Sequence, residues 1–235
     1  MKIEKTLEME IGSYISALLR NYFGKGPNSL YVTIKPPFFT IHFRGLITPT
    51  EKVLIKQKKW RHVLEIRDLL MIDLKEEIRK ELWKIAKLEV NELYADWNME
   101  MKSGLIIGII NSETTAQDFN WPAELVEQEF QNELIKASLK AEKNPGRREV
   151  YWLNDRTILV KRSEVLVPIE KELIKKGYEK ELMIAKKQLE SKIFQEVQLE
   201  TTLQRKITEH FFFWNFEQDG GYVVFIVDPA ETISS

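Results

Sequence analysis

Pro49-Thr50-Glu51-Lys52-Val53-Leu54-Ile55-Lys56 returns 119 residues later as Pro168-Ile169-Glu170-Lys171-Glu172-Leu173-Ile174-Lys175, identical at six of eight positions with no gap. Each stretch reads as a helix start, with proline at the first helical position and a glutamate placed to fold back on the chain before it. Thr48 supplies an N-cap hydroxyl to the first, whereas Val167 stands at that place in the second. The same offset aligns Glu8 with Glu127, Glu10 with Glu129, Leu70 with Leu189, Glu77 with Glu196, Lys87 with Lys206 and Ile107 with Ile226. The pattern predicts a tandem duplication.

Hydrophobic spacing extends the repeat outward. Leu7, Ile11, Ile15 and Leu18 make a helical stripe, matched by Val126, Phe130, Leu134 and Ala137. Leu30, Val32 and Ile34 alternate, as do Phe39, Ile41 and Phe43; Val150–Leu153 and Thr157–Val160 are their counterparts. A long helical stretch follows in each copy. Val63, Ile66, Leu70, Leu74, Ile78 and Leu82 carry the first; Leu182, Ala185, Leu189, Ile193, Val197 and Leu203 carry the second. Gly177, opposite Lys58, marks a break before it. Two strands close each copy, 89–99 with 105–110 and 208–217 with 222–227, the latter pair joined by the turn Asp219-Gly220-Gly221. The expected module is α-β-β-α-α-β-β, an α+β fold with a four-stranded antiparallel sheet and helices on one face. Its expected bounds are 1–111 and 119–235, with polar Asn111–Asp118 as the joint.

Phe211 and Phe213 do not fit a sheet covered on one face. In His210-Phe211-Phe212-Phe213-Trp214-Asn215-Phe216, alternation turns Phe212, Trp214 and Phe216 inward, opposite Leu93, Ala95 and Trp97 of the first copy, and leaves Phe211 and Phe213 on the other side. The pair is expected on a second buried face, packed within the module or, in the role assigned to it, at an interface between modules or across a homodimer.

Composition narrows the function classes. Thirty-five basic and thirty-six acidic residues give a net charge of −1, so no nucleic-acid partner is expected. The absence of cysteine rules out disulfides and thiolate chemistry and fits a cytoplasmic setting. The N-terminal acids do not fit a signal peptide, and the apolar run near Leu105–Ile110 is far too short to span a bilayer. His42, His62 and His210 lie at no metal-ligand spacing, so neither metal nor organic cofactor is expected and no catalytic residue is assigned.

Gly24-Lys25-Gly26-Pro27 after the first helix, and Arg44-Gly45-Leu46-Ile47-Thr48-Pro49-Thr50-Glu51 after the second strand, resemble the motifs of a bacterial family of unknown function. That family is named after MpsC, a component of a sodium-translocating, membrane-potential-generating system linked to inorganic-carbon uptake. The second copy departs from both motifs, with Lys143-Asn144-Pro145-Gly146 and Ser163-Glu164-Val165-Leu166-Val167-Pro168. The resemblance implies a two-module member serving as an accessory or interaction protein, its partner a protein of a membrane complex. On that reading the chain is peripheral to the membrane through its partner. The alternative is a small-ligand or anion sensor with a cleft between modules and basic side chains such as Lys25 and Arg44 as ligands.

Overall fold

A computed structural model describes residues 6–111, 119–141 and 146–229. The chain divides into two compact units, the division falling within residues 112–118. Most of the polar joint, and Lys143-Asn144-Pro145, lie outside the described residues.

The first unit runs α1 (Leu7–Phe23), β1 (Ser29–Lys35), β2 (Phe38–Arg44), α2 (Pro49–Lys56), α3 (Trp60–Ala86), β3 (Val90–Asn98) and β4 (Ser103–Ile110). The second runs α4 (Glu127–Lys140), β5 (Arg148–Asn154), β6 (Thr157–Ser163), α5 (Pro168–Lys175), α6 (Glu179–Glu196), α7 (Leu199–Leu203), β7 (Ile207–Asn215) and β8 (Gly220–Val227). Each forms its own antiparallel sheet, ordered β1-β2-β4-β3 and β5-β6-β8-β7. The two α+β units are thus a tandem duplication, down to a register shift at the start of the third strand, Val90/Glu92 in one and Ile207/Glu209 in the other.

Left-handed backbone positions repeat as well. Gly45 and Glu164, Lys58 and Gly177, Lys87 and Gln204, and Lys102 and Asp219 all have positive φ. The first two pairs are 119 residues apart, but the last two are 117 apart. The closing strands keep the shorter offset, so Trp97 matches Trp214 and Gly104 matches Gly221. The Lys87/Lys206 and Ile107/Ile226 identities are therefore coincidental, and Trp97 rather than Ala95 is the partner of Trp214. Two residues are lost where α3, continuous over 27 residues, becomes α6 and α7. The expected single helix breaks there because Val197 is extended (ψ 160°) and the Glu133 carboxylate accepts the Gln198 N–H at 2.9 Å, starting the short helix anew.

The helix starts conform to the sequence reading. Thr48 Oγ accepts from Glu51 N–H at 3.2 Å, and Glu51 Oε2 accepts from Thr48 N–H at 2.7 Å. In α5 only the second of these survives, Val167 N–H donating to Glu170 at 3.0 Å. Thr48→Val should therefore lower stability by about 1 kcal/mol in urea denaturation. No measurable change would mean that the hydroxyl contributes nothing.

One core in each unit lies between helices and sheet. The first gathers Ile11, Ile15, Leu19, Phe39, Ile41, Phe43, Met71, Leu74, Trp97 and Ile106; the second gathers Phe130, Leu134, Ile158, Val160, Leu203, Phe212, Trp214 and Phe225. Alternate strand residues pointing away from these cores are buried too, among them Phe38, Leu105 and Ile107 in one sheet and Leu159, Phe211, Phe213 and Val224 in the other.

Candidate functional site

The inward seam of α3 is Val63, Arg67, Met71, Leu74, Ile78 and Leu82. A pattern drawn from apolar residues alone chooses Ile66 for this seam, yet Ile66 is exposed and a fully buried arginine takes its place. Burying a guanidinium is tolerable only when its charge is matched and most of its donors are used, and in Arg67 only Nη1 has no hydrogen-bond partner. Arg67 Nε donates to Glu51 Oε1 at 2.7 Å, and Nη2 donates to Glu51 Oε2 at 3.0 Å and to the Leu46 carbonyl at 2.8 Å. Its guanidinium carbon also lies 4.5 Å from the centre of the Trp97 ring and 5.5 Å from that of Phe23. Burial pushes the Glu51 carboxyl pKa up, but the hydrogen bonds from Arg67 and Thr48 outweigh it and hold the group below the usual carboxylate value.

The two family-like motifs meet at this pair. Gly24 ends α1 in the left-handed conformation (φ 69°). Lys25 Nζ then donates to the Gly45 carbonyl at 3.0 Å and to the Ile47 carbonyl at 3.5 Å. Asn28 N–H donates to the Arg44 carbonyl at 2.7 Å, and its side chain lies so close to Gly45 that a Cβ there would fall 2.4 Å from it. Three successive carbonyls, Gly45, Leu46 and Ile47, are thus held by two cations from different elements. The expectation made Lys25 and Arg44 ligands for an anion. The geometry makes Lys25 a main-chain clamp, with two of its three donors on the Gly45 and Ile47 carbonyls. Arg44 closes β2 beside that clamp.

The second unit rebuilds the pair with lysine. Lys186, at Arg67's place, donates to Glu170 Oε1 at 2.8 Å and to the Val165 carbonyl at 3.3 Å. Sequence reasoning missed both cations because it treated charge as a sign of solvent. The signal available was two basic residues at one offset, each four positions beyond a core residue, Val63 or Leu182.

Beside Lys186 the second core is hollow. A cavity of about 70 Å³ is lined by Leu134, Ala137 and Ser138 of α4, Val160 and Arg162 of β6, and Lys186, Glu190 and Ile193 of α6, with Arg148, Glu170 and Val223 also at its wall. Arg162 Nη1 donates to Glu190 Oε2 at 2.7 Å. Elsewhere, His210 Nε2 is 3.0 Å from Ser191 Oγ, His42 stacks on Tyr31 with ring centres 6.2 Å apart, and His62 is exposed. Among the described residues no group of three acidic or histidine side chains is arranged to hold a metal.

The knot of Lys25, Gly45, Glu51 and Arg67 falls within the part of the chain that is similar to a known family. The family described as "Na+-translocating membrane potential-generating system (MpsC)" matches residues 4–112. The first module is MpsC-like. The match takes in both motifs and stops before the second module, whose versions of them differ. No curated protein and no solved structure matches the chain significantly. The MpsC family description concerns a membrane system, and none of the described helices is long and apolar enough to cross a membrane.

Proposed function

We propose that this chain is a non-catalytic accessory protein whose MpsC module docks on a protein partner within a membrane ion-translocating system, from the cytoplasmic side. The observation that carries the reading is an apolar stripe on α3. Ile66, Leu69 and Ile72 are 47%, 66% and 64% exposed at steps of three along one side of that helix. The second module has Ala185, Gln188 and Ser191 at the same places. The stripe therefore belongs to the family-matched module alone, and clustered exposed side chains of this size mark contact surfaces. The family description supports the kind of partner. The charged constellation of the same module is engaged in holding its own main chain, which suits a scaffold better than a reaction centre. Module bounds of 1–111 and 119–235, and interface roles for Phe211 and Phe213, form part of the same reading.

Leu69→Glu with Ile72→Glu tests it. In cells of the source organism, wild-type protein should sediment with the membrane fraction, and the double variant, folded by circular dichroism, should stay in the supernatant. Equal sedimentation of both proteins would overturn the docking site. Binding of purified wild-type protein to protein-free vesicles would replace the protein partner with lipid, and a dimer lost in the variant would replace it with a second copy.

A further inference from the structure

The hollow in the second module lies where the first module is filled. Ala137, Ser138 and Ala141 stand at the places of Leu18, Leu19 and Tyr22, and buried Phe43 and Met71 are replaced by Arg162 and Glu190. Both kinds of change cost stability, the first by leaving space and the second by putting an ion pair into an apolar core. The space left has charge on its wall, where Arg148, Arg162, Lys186, Glu170 and Glu190 stand together.

The donors at this wall are incompletely used. Arg162 bonds Glu190 through Nη1, while its Nε and Nη2 are buried with no hydrogen-bond partner. That is the edge with which Arg67 grips the Glu51 carboxylate through two parallel bonds. A buried donor pair without an acceptor calls for a missing group, and a carboxylate fits the fork. Lys186 also has a third donor beyond its bonds to Glu170 and Val165. The rest of the wall is apolar, from Leu134, Ala137, Ile193 and Val223.

From this we infer that the second module binds a short-chain aliphatic monocarboxylate, its carboxylate on Arg162 and Lys186 and its alkyl chain against Leu134, Ala137, Ile193 and Val223. One water needs roughly 10–15 Å³ of such space, so about 70 Å³ suits a chain of four to six carbons. The inference concerns the module outside the family match and does not rest on the docking reading.

Pentanoate is the probe, titrated into the full-length protein and followed by saturation-transfer NMR of its methyl group and by thermal shift. Saturable binding is expected, with pentan-1-ol and inorganic phosphate each at least about tenfold weaker because each lacks one half of the recognition. Arg162→Gln should weaken pentanoate about tenfold or more, and Ala137→Leu, which restores the first module's side chain, should abolish binding while leaving the fold intact. Ser138→Leu fills the same space from the next position and serves if Ala137→Leu does not fold. No saturable binding to wild-type protein would overturn the inference. So would equal affinity for phosphate, or binding that survives both the Gln and the Leu variants.

Discussion

Arg67→Met should cost about 3–5 kcal/mol of stability, the usual consequence of breaking one side of a buried ion pair. The side chain is fully buried, and it serves the Glu51 carboxylate and the Leu46 carbonyl together. Methionine fills much of the volume, so the loss is mainly electrostatic: a carboxylate left out of water without its countercharge. Arg67→Lys should lose less, since the second module performs the same task with Lys186. Urea denaturation followed by tryptophan fluorescence reads both, because Trp97 lies under the guanidinium. A loss below about 1 kcal/mol for the methionine variant would show that the pair does not hold the module together.

The pair also fixes a pH dependence. The folded-state pKa of Glu51 lies below its unfolded value, so its contribution is fully present above the ordinary carboxylate range and is lost as pH falls through the folded pKa. The stability gap between wild type and Arg67→Met should therefore narrow on acidification below about pH 4.5. A gap constant down to pH 3 would contradict the assignment.

Element order, the hairpins and the duplication were legible because each rests on local periodicity or turn chemistry, which a single chain displays directly, whereas the long-range β2–β4 and β6–β8 pairings have no local signal. Thr48, Pro49 and Glu51 announced their helix start for that reason. The inward seam of α3 was not legible: an apolar pattern passes over Arg67 and settles on Ile66, although a cation matched by Glu51 and Leu46 is as much a core residue as its neighbours. The change of offset from 119 to 117 was hidden inside a helix whose apolar steps tolerate a break at Val197. The cavity depends on side-chain size at positions spread over α4, β6 and α6, and no one of Ala137, Ser138 or Arg162 looks unusual alone. Only their meeting in space makes a hollow with spare donors.

Changing Phe211 and Phe213 together to serine should cost about 3 kcal/mol for each ring, or more if the strand cannot close around the space. The rings are 0% and 2% exposed, and they sit on the face of β7 turned away from the second core. Their register partners Val224 and Tyr222 are buried as well, so each serine leaves a gap and places a hydroxyl where apolar atoms meet. Leucine at both positions keeps most of the apolar area and should lose much less, which separates burial from a specific aromatic contact. An interface role adds an effect that internal packing does not. At low denaturant, where the serine variant is still folded, its sedimentation coefficient should differ from that of wild type. A stability loss under about 1 kcal/mol would show that neither ring is packed in the folded protein. A full loss with unchanged sedimentation would make their burial internal packing on the outer face of the sheet and end the interface assignment.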